Sequence, residues 1–144
     1  MSSLRSIVIV AICSVSVPLQ AADTRAEARM GPHGAEARGW YQGDWGRSRT
    51  RSKSNSTRSL AFAEDDDGIS VSHVLGLQNG GEQIGSTMSL NIGSHGSSSS
   101  GGLTTAFGPE SSMRIGSRAR LRHSESFFES RGGYFEGTTW AHDQ

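Results

Sequence analysis

The chain has 144 residues, balances 14 Lys and Arg against 14 Asp and Glu, and holds one cysteine. A net charge of zero gives no case for nucleic acid, or for an anionic membrane, as a partner recognised by bulk charge. A lone cysteine excludes a disulfide framework and a cysteine-ligated zinc or iron–sulfur centre.

The first element in chain order is a leader. Met1 to Arg5 is short and carries one positive charge, and Ile7 to Val17 is an unbroken run of 11 mostly apolar residues. Pro18 to Ala21 then supplies a helix breaker and a small residue at the cut. This order matches a secretory signal peptide over 1–21, cleaved after Ala21. Spanning a bilayer needs about 20 apolar residues, so no transmembrane helix is expected in the mature chain. Cys13 lies inside the leader behind the bulky Ile12, unlike a lipoprotein acceptor. A small exported chain without cysteine points to a bacterial envelope. The expected location is secreted, at the cell surface or associated with the outer membrane.

Cleavage leaves 123 residues, of which 17 are Leu, Ile, Val or Phe. All 17 fall between Leu60 and Phe135. Residues 22–58 hold none, and burial there cannot offset the ordering entropy. That segment is expected to be a disordered, basic N-terminal region. Its tetrads Ala26-Glu27-Ala28-Arg29 and Ala35-Glu36-Ala37-Arg38 favour helix, but Gly31-Pro32-His33-Gly34 separates them. Trp40, Tyr41 and Trp45 follow among glycines, and residues 47–58 carry five positive charges and no negative one.

From Ser59 the texture becomes alternation, the period of a strand. Apolar residues alternate at Leu60 and Phe62, at Ile69 to Leu77, at Met88 to Ile92, and at Leu103 to Phe107. From Met113 to Arg122 one side is mostly apolar and the other nearly all Arg. Asp66-Asp67-Gly68, Asn79-Gly80-Gly81, Gly93 to Gly102 and Gly108-Pro109 supply turn chemistry. The spacing predicts an all-β class: small, repetitive short strands with Gly/Ser turns over 59–135, then a C-terminal tail at 136–144. A weak echo between Ser86–Ser94 and Ser111–Ser117 falls short of the roughly three stacked units a solenoid needs.

The residues that carry chemistry form no catalytic set. Glu64 to Gly68 fails as a calcium loop, because the matching first and twelfth positions are Ala63 and Val74. It reads as an acidic hairpin turn with Asp67-Gly68 at its tip. His33, His73, His95, His123 and His142 show no ligand spacing, and His73 sits on the apolar side of its strand, the expected core side. There are 25 serines but no nucleophile elbow, and Glu125 and Glu129 read as solvated charges. No enzyme activity, metal or cofactor is expected. Arg114, Arg118, Arg120 and Arg122 are the candidate site, a face for acidic polysaccharide. Export argues against nucleic acid as partner of the basic segment 47–58.

Gln78-Asn79-Gly80-Gly81 and Ser89-Leu90-Asn91-Ile92-Gly93-Ser94-His95-Gly96 resemble, in composition, curli-like surface-attachment proteins of Gram-negative bacteria, of the holdfast-anchor type. The resemblance covers residues 68–108 and lacks the regular Gln/Gly/Asn repeat of that family. It implies adhesion at the cell surface through cross-β self-association, with itself or other envelope proteins as partner. Three functions are therefore expected in descending order: an exported structural protein of the cell surface, a soluble module for acidic glycans, and a small outer-membrane β-barrel.

Overall fold

The computed structural model describes residues 21–144, so the signal peptide expected over 1–21 lies outside the described residues save for its last. Ten antiparallel strands follow: β1 (Asp23–Gly31), β2 (Gly34–Gln42), β3 (Trp45–Lys53), β4 (Ser56–Asp65), β5 (Gly68–Asn79), β6 (Glu82–Gly93), β7 (Gly96–Phe107), β8 (Ser112–Arg120), β9 (His123–Arg131) and β10 (Tyr134–Asp143). The class is all-β, as the alternation predicts. Every link is two residues long except Gly108 to Ser111, between β7 and β8.

The strands form a four-stranded sheet of order β2-β1-β8-β9 and a six-stranded sheet of order β10-β7-β6-β5-β4-β3. The β7–β8 link carries the chain from the larger sheet to the smaller. There β8 pairs with β1, and β10 later returns to pair with β7. The sheets stack as a sandwich, with β1 over β4 and β5, β8 over β5 and β6, and β9 over β7.

Three expectations need correction. Residues 22–58 are not a disordered region: they supply β1, β2, β3 and the start of β4. Alanine can fill a thin interior as strand residues, so Ala26 and Ala28 are buried without any large aliphatic neighbour on their own strand. The tail expected at 136–144 is the body of β10, paired with β7 from Tyr134↔Phe107 to Asp143↔Ser98. The long turn expected over Gly93 to Gly102 shrinks to Ser94-His95, and its serines enter β7. The acidic hairpin turn forms, with its tip at Asp66-Asp67, one residue before the expected Asp67-Gly68: Asp65 Oδ1 accepts from the backbone N–H of Asp67 and of Gly68, both at 2.9 Å.

The interior is built from small side chains. At one end Met30, Val74, Ala106, Met113 and Ile115 form an apolar cluster with Ala26 and Ala28. Gly76 and Gly85, paired across β5 and β6, leave the room for it. A Cβ at Gly85 would lie 2.9 Å from both Ile115 Cγ2 and Met113 Sδ, and one at Gly76 would collide with Met30. At the other end the interior is hydroxyl-lined. Thr24 and Ser72 hydrogen-bond across the sheets at 2.9 Å, as do Ser98 and Ser124 at 2.9 Å and Ser100 and Ser126 at 3.1 Å. Ser70 donates to the Ala22 carbonyl at 2.7 Å and accepts from Asn91 Nδ2 at 2.7 Å. Each such bond contributes only about 1 kcal/mol net, but leaving a buried hydroxyl unpaired costs more. These side chains are short, so their meeting requires the two sheets to sit close.

Candidate functional site

A thin interior leaves the large side chains outside. On β5 and β6 the inward positions are Ser70, Ser72, Val74 and Thr87, Ser89, Asn91, all buried. The outward positions are Ile69, Val71, His73, Leu75, Leu77 and Ile84, Met88, Leu90, Ile92. His73 is therefore on the outer face, half-buried, and not in the core. Its Nε2 accepts from Arg58 Nε at 3.1 Å. Burial and then the Arg58 charge lower its pKa below 6.5.

Strand register assembles these positions into an apolar outer face on the six-stranded sheet. One row across it runs Arg49, Leu60, His73, Met88, Gly101, Trp140. The row beside it runs Arg47, Phe62, Val71, Leu90, Ser99, His142. Ten of the fourteen exposed large apolar side chains among the described residues belong to this face, including Leu103 at 55% and Ile92 at 53% exposure. One margin, β3, carries Arg47, Arg49, Arg51 and Lys53. The other, β10, carries Tyr134, Glu136 and Trp140. Trp45 packs edge-on against Phe62, with ring centroids 5.3 Å apart.

The outer face of the four-stranded sheet is the opposite in kind. Its rows read Trp40, Arg25, Arg118, Glu125, then Arg38, Glu27, Gly116, Phe127, then Glu36, Arg29, Arg114, Glu129. Charge alternates along β1 and β2, arginines meet across β1 and β8, and carboxylates flank them on β2 and β9, so ion pairs result. Arg114 reaches Glu27 and Glu129, each at 3.3 Å, and Arg38 reaches Glu36 at 2.8 Å. Arg25 also pairs with Glu27. Arg118 meets Asp23 at 2.5 Å, and this hydrogen bond raises its pKa further above the ordinary arginine value. The Arg114 guanidinium lies 5.2 Å from the Phe127 ring centroid, and that ring fills the space over Gly116. Such half-exposed pairs are each worth up to about 1 kcal/mol.

The chain matches no protein-family model, no curated protein and no solved structure.

Of the four arginines expected as one face, Arg114, Arg118 and Arg120 share the outer side of β8 and Arg122 lies in the turn beyond it. Arg114 and Arg118 line an open groove of about 610 Å³ with Arg25, Glu27, Arg29, Arg38 and Trp40. Arg120 ends β8 outside that lining. Arg122 sits in the β8–β9 turn at φ 56°, with its backbone N–H on Asn91 Oδ1 and its Nε on the His95 carbonyl. Sequence reasoning missed Arg25, Arg29, Arg38 and Trp40. The signal that finds them is the alternation of Ala with Glu or Arg in both tetrads, a strand period with a small-residue interior. Among the described residues no group of three or more His, Cys, Asp or Glu is placed to hold a metal ion.

Proposed function

We propose that this is an exported structural protein of the cell surface, acting in attachment, and that it self-associates through the apolar outer face of its six-stranded sheet. The observation that carries the reading is that face itself. A soluble monomer rarely exposes a contiguous apolar patch beyond a few hundred Å². Six strands about 4.8 Å apart and about ten residues of about 3.3 Å each give a face of roughly 800 Å², of which the apolar central strands β4 to β7 make up roughly 500 Å². A standard protein interface takes about 800 Å² from each partner.

The face also suits a second copy of itself. Consider a two-fold axis running along the strands, between β5 and β6. It lays β3 of one copy over β10 of the other, β4 over β7, and β5 over β6. Large residues then meet small ones, Leu60 on Gly101 and Phe62 on Ser99, while His73 meets Met88. At the margins Arg49 meets the Trp140 ring and Lys53 meets Glu136. The isologous pairing makes each contact twice. A two-fold axis across the strands would instead set the basic β3 on itself.

Pairing through the face is favoured over cross-β growth through strand edges. The four basic side chains of β3 lie along one free edge, the pattern that blocks edge-to-edge addition. It is also favoured over a membrane barrel, which presents apolar side chains to lipid from every strand. Here β1, β2, β8 and β9 turn Arg and Glu outward.

Sedimentation equilibrium of the exported chain tests the reading. The expected result is a dimer at micromolar concentration that Met88→Glu converts to a monomer as stable to heat as the unsubstituted chain diluted to its monomer. A monomer that instead floats with anionic lipid vesicles would overturn self-association and put a lipid surface on that face.

A further inference from the structure

We infer that the groove on the opposite, charged face is a binding site for a linear acidic polysaccharide whose negative groups are carboxylates, with the Trp40 ring as its stacking platform. The inference does not rest on self-association, because the groove lies on the outer side of the four-stranded sheet. It concerns residues that pairing through the six-stranded sheet leaves exposed.

Three observations carry it. First, the groove is about 610 Å³, within the roughly 300–1,000 Å³ typical of ligand sites. Second, Trp40 is 46% exposed on β2, directly beside Arg25 in the register. An indole exposed to that extent is unusual on a face otherwise given to ion pairs. The faces of a pyranose ring carry C–H groups, and these suit the negative face of an aromatic ring. Third, one guanidinium of the groove has no close counter-ion. Five guanidinium groups line it with Glu27, and Asp23, Glu36, Glu125 and Glu129 lie around it. Arg29 is the guanidinium without an ion pair among the described residues.

The arrangement also selects the ligand class. Arg25 and Arg29 lie four residues apart on β1, so cations recur along the groove at about 13 Å. That suits a polymer with repeated charges better than a single anion. The planar guanidinium forks match carboxylates bidentately. Glu27, mostly buried between Arg25 and Arg114, keeps oxygen lone pairs that can accept from sugar hydroxyls. A groove for polyphosphate would gain nothing from an acceptor carboxylate on its floor. If the pairing described above holds as well, a dimer presents two such grooves on opposite sides. It could then bridge two polysaccharide chains, with avidity beyond either site alone.

Isothermal titration of the full exported chain with a galacturonate oligosaccharide tests the inference. Maltooligosaccharide serves as the neutral control and polyphosphate as the anionic one. The expected result is binding of the uronate oligomer alone, weakened at least fivefold by Trp40→Ala and again by Arg29→Ser. Arg122→Ser, in the turn outside the groove, should leave it unchanged. Equal binding of uronate and polyphosphate, insensitive to Trp40→Ala, would overturn the site in favour of diffuse charge attraction. No uronate binding by a chain with an intact β spectrum would overturn it outright. Either result stands apart from the oligomeric state, which sedimentation reads separately.

Discussion

The two outer faces of the sandwich are made by the same alternation and differ in what they turn outward. On the six-stranded sheet Ser and Thr point in and Ile, Leu, Met and Phe point out. On the four-stranded sheet Ala and Met point in and Arg and Glu point out. Both choices serve one constraint, that the space between the sheets takes mainly small side chains and admits Met30, Met113 and Ile115 only where Gly76 and Gly85 make room. Alanine and serine meet it equally well, so the interior does not dictate the exterior. The exterior is free to be apolar on one side and ionic on the other, and that freedom is where function enters.

The largest expected effect comes from violating the constraint. Gly85→Val pushes a branched side chain into Ile115 and Met113 at the apolar end of the interior. It should cost about 2–3 kcal/mol, read as a lower urea midpoint with an unchanged slope. The outward Met88→Glu, three residues along the same strand, should leave monomer stability untouched while dissociating the pair. A comparable loss from both changes would mean that the apolar face belongs to the folding core after all.

A smaller effect sharpens the same contrast through pH. His73 is on the apolar face with its pKa lowered by burial and then by Arg58. The unfolded chain therefore takes up a proton at that position at a higher pH than the folded chain does. Stability should be full above pH 6.5 and should fall as pH drops from there through the lowered folded value. His73→Gln should flatten that part of the profile in a pH series of thermal melts.

The smallest effect lies between the faces. Arg122 holds a left-handed conformation at φ 56° in the β8–β9 turn. A side chain there costs about 1 kcal/mol, whereas glycine adopts it freely. Arg122→Gly should gain a few tenths to about 1 kcal/mol, offset in part by the lost contact to the His95 carbonyl.

The alternation of β5, β6 and β8 was legible because period 2 is a local property of the backbone. Which side faces inward was not, and His73 shows why. The usual rule sends the apolar side of a strand inward, but Ser72 and Ser89 go inward here, the first bonded to Thr24 and the second to Ser100. That depends on a partner strand nearly 50 residues away. The β1 and β2 strands were hidden for a related reason. Their interior residues are alanines, whose helix propensity dominates when no partner is in view. Only pairing with β8, Arg25 beside Arg118 and Arg29 beside Arg114, makes strands of them. Two of the five arginines of the groove were therefore visible, Arg114 and Arg118 on β8 itself.

Dipolar electron resonance on a nitroxide at Thr138→Cys tests the central claim most directly. The only native cysteine, Cys13, lies in the expected leader, so the label is unique on a chain that starts at Ala22. Pairing about an axis along the strands places β10 of the two copies at opposite margins of the interface, five strand spacings apart. The expected label separation is about 25 Å. No dipolar coupling at concentrations well above micromolar would contradict the face-to-face pair, and with it the proposal that the apolar outer face is there to meet a second copy.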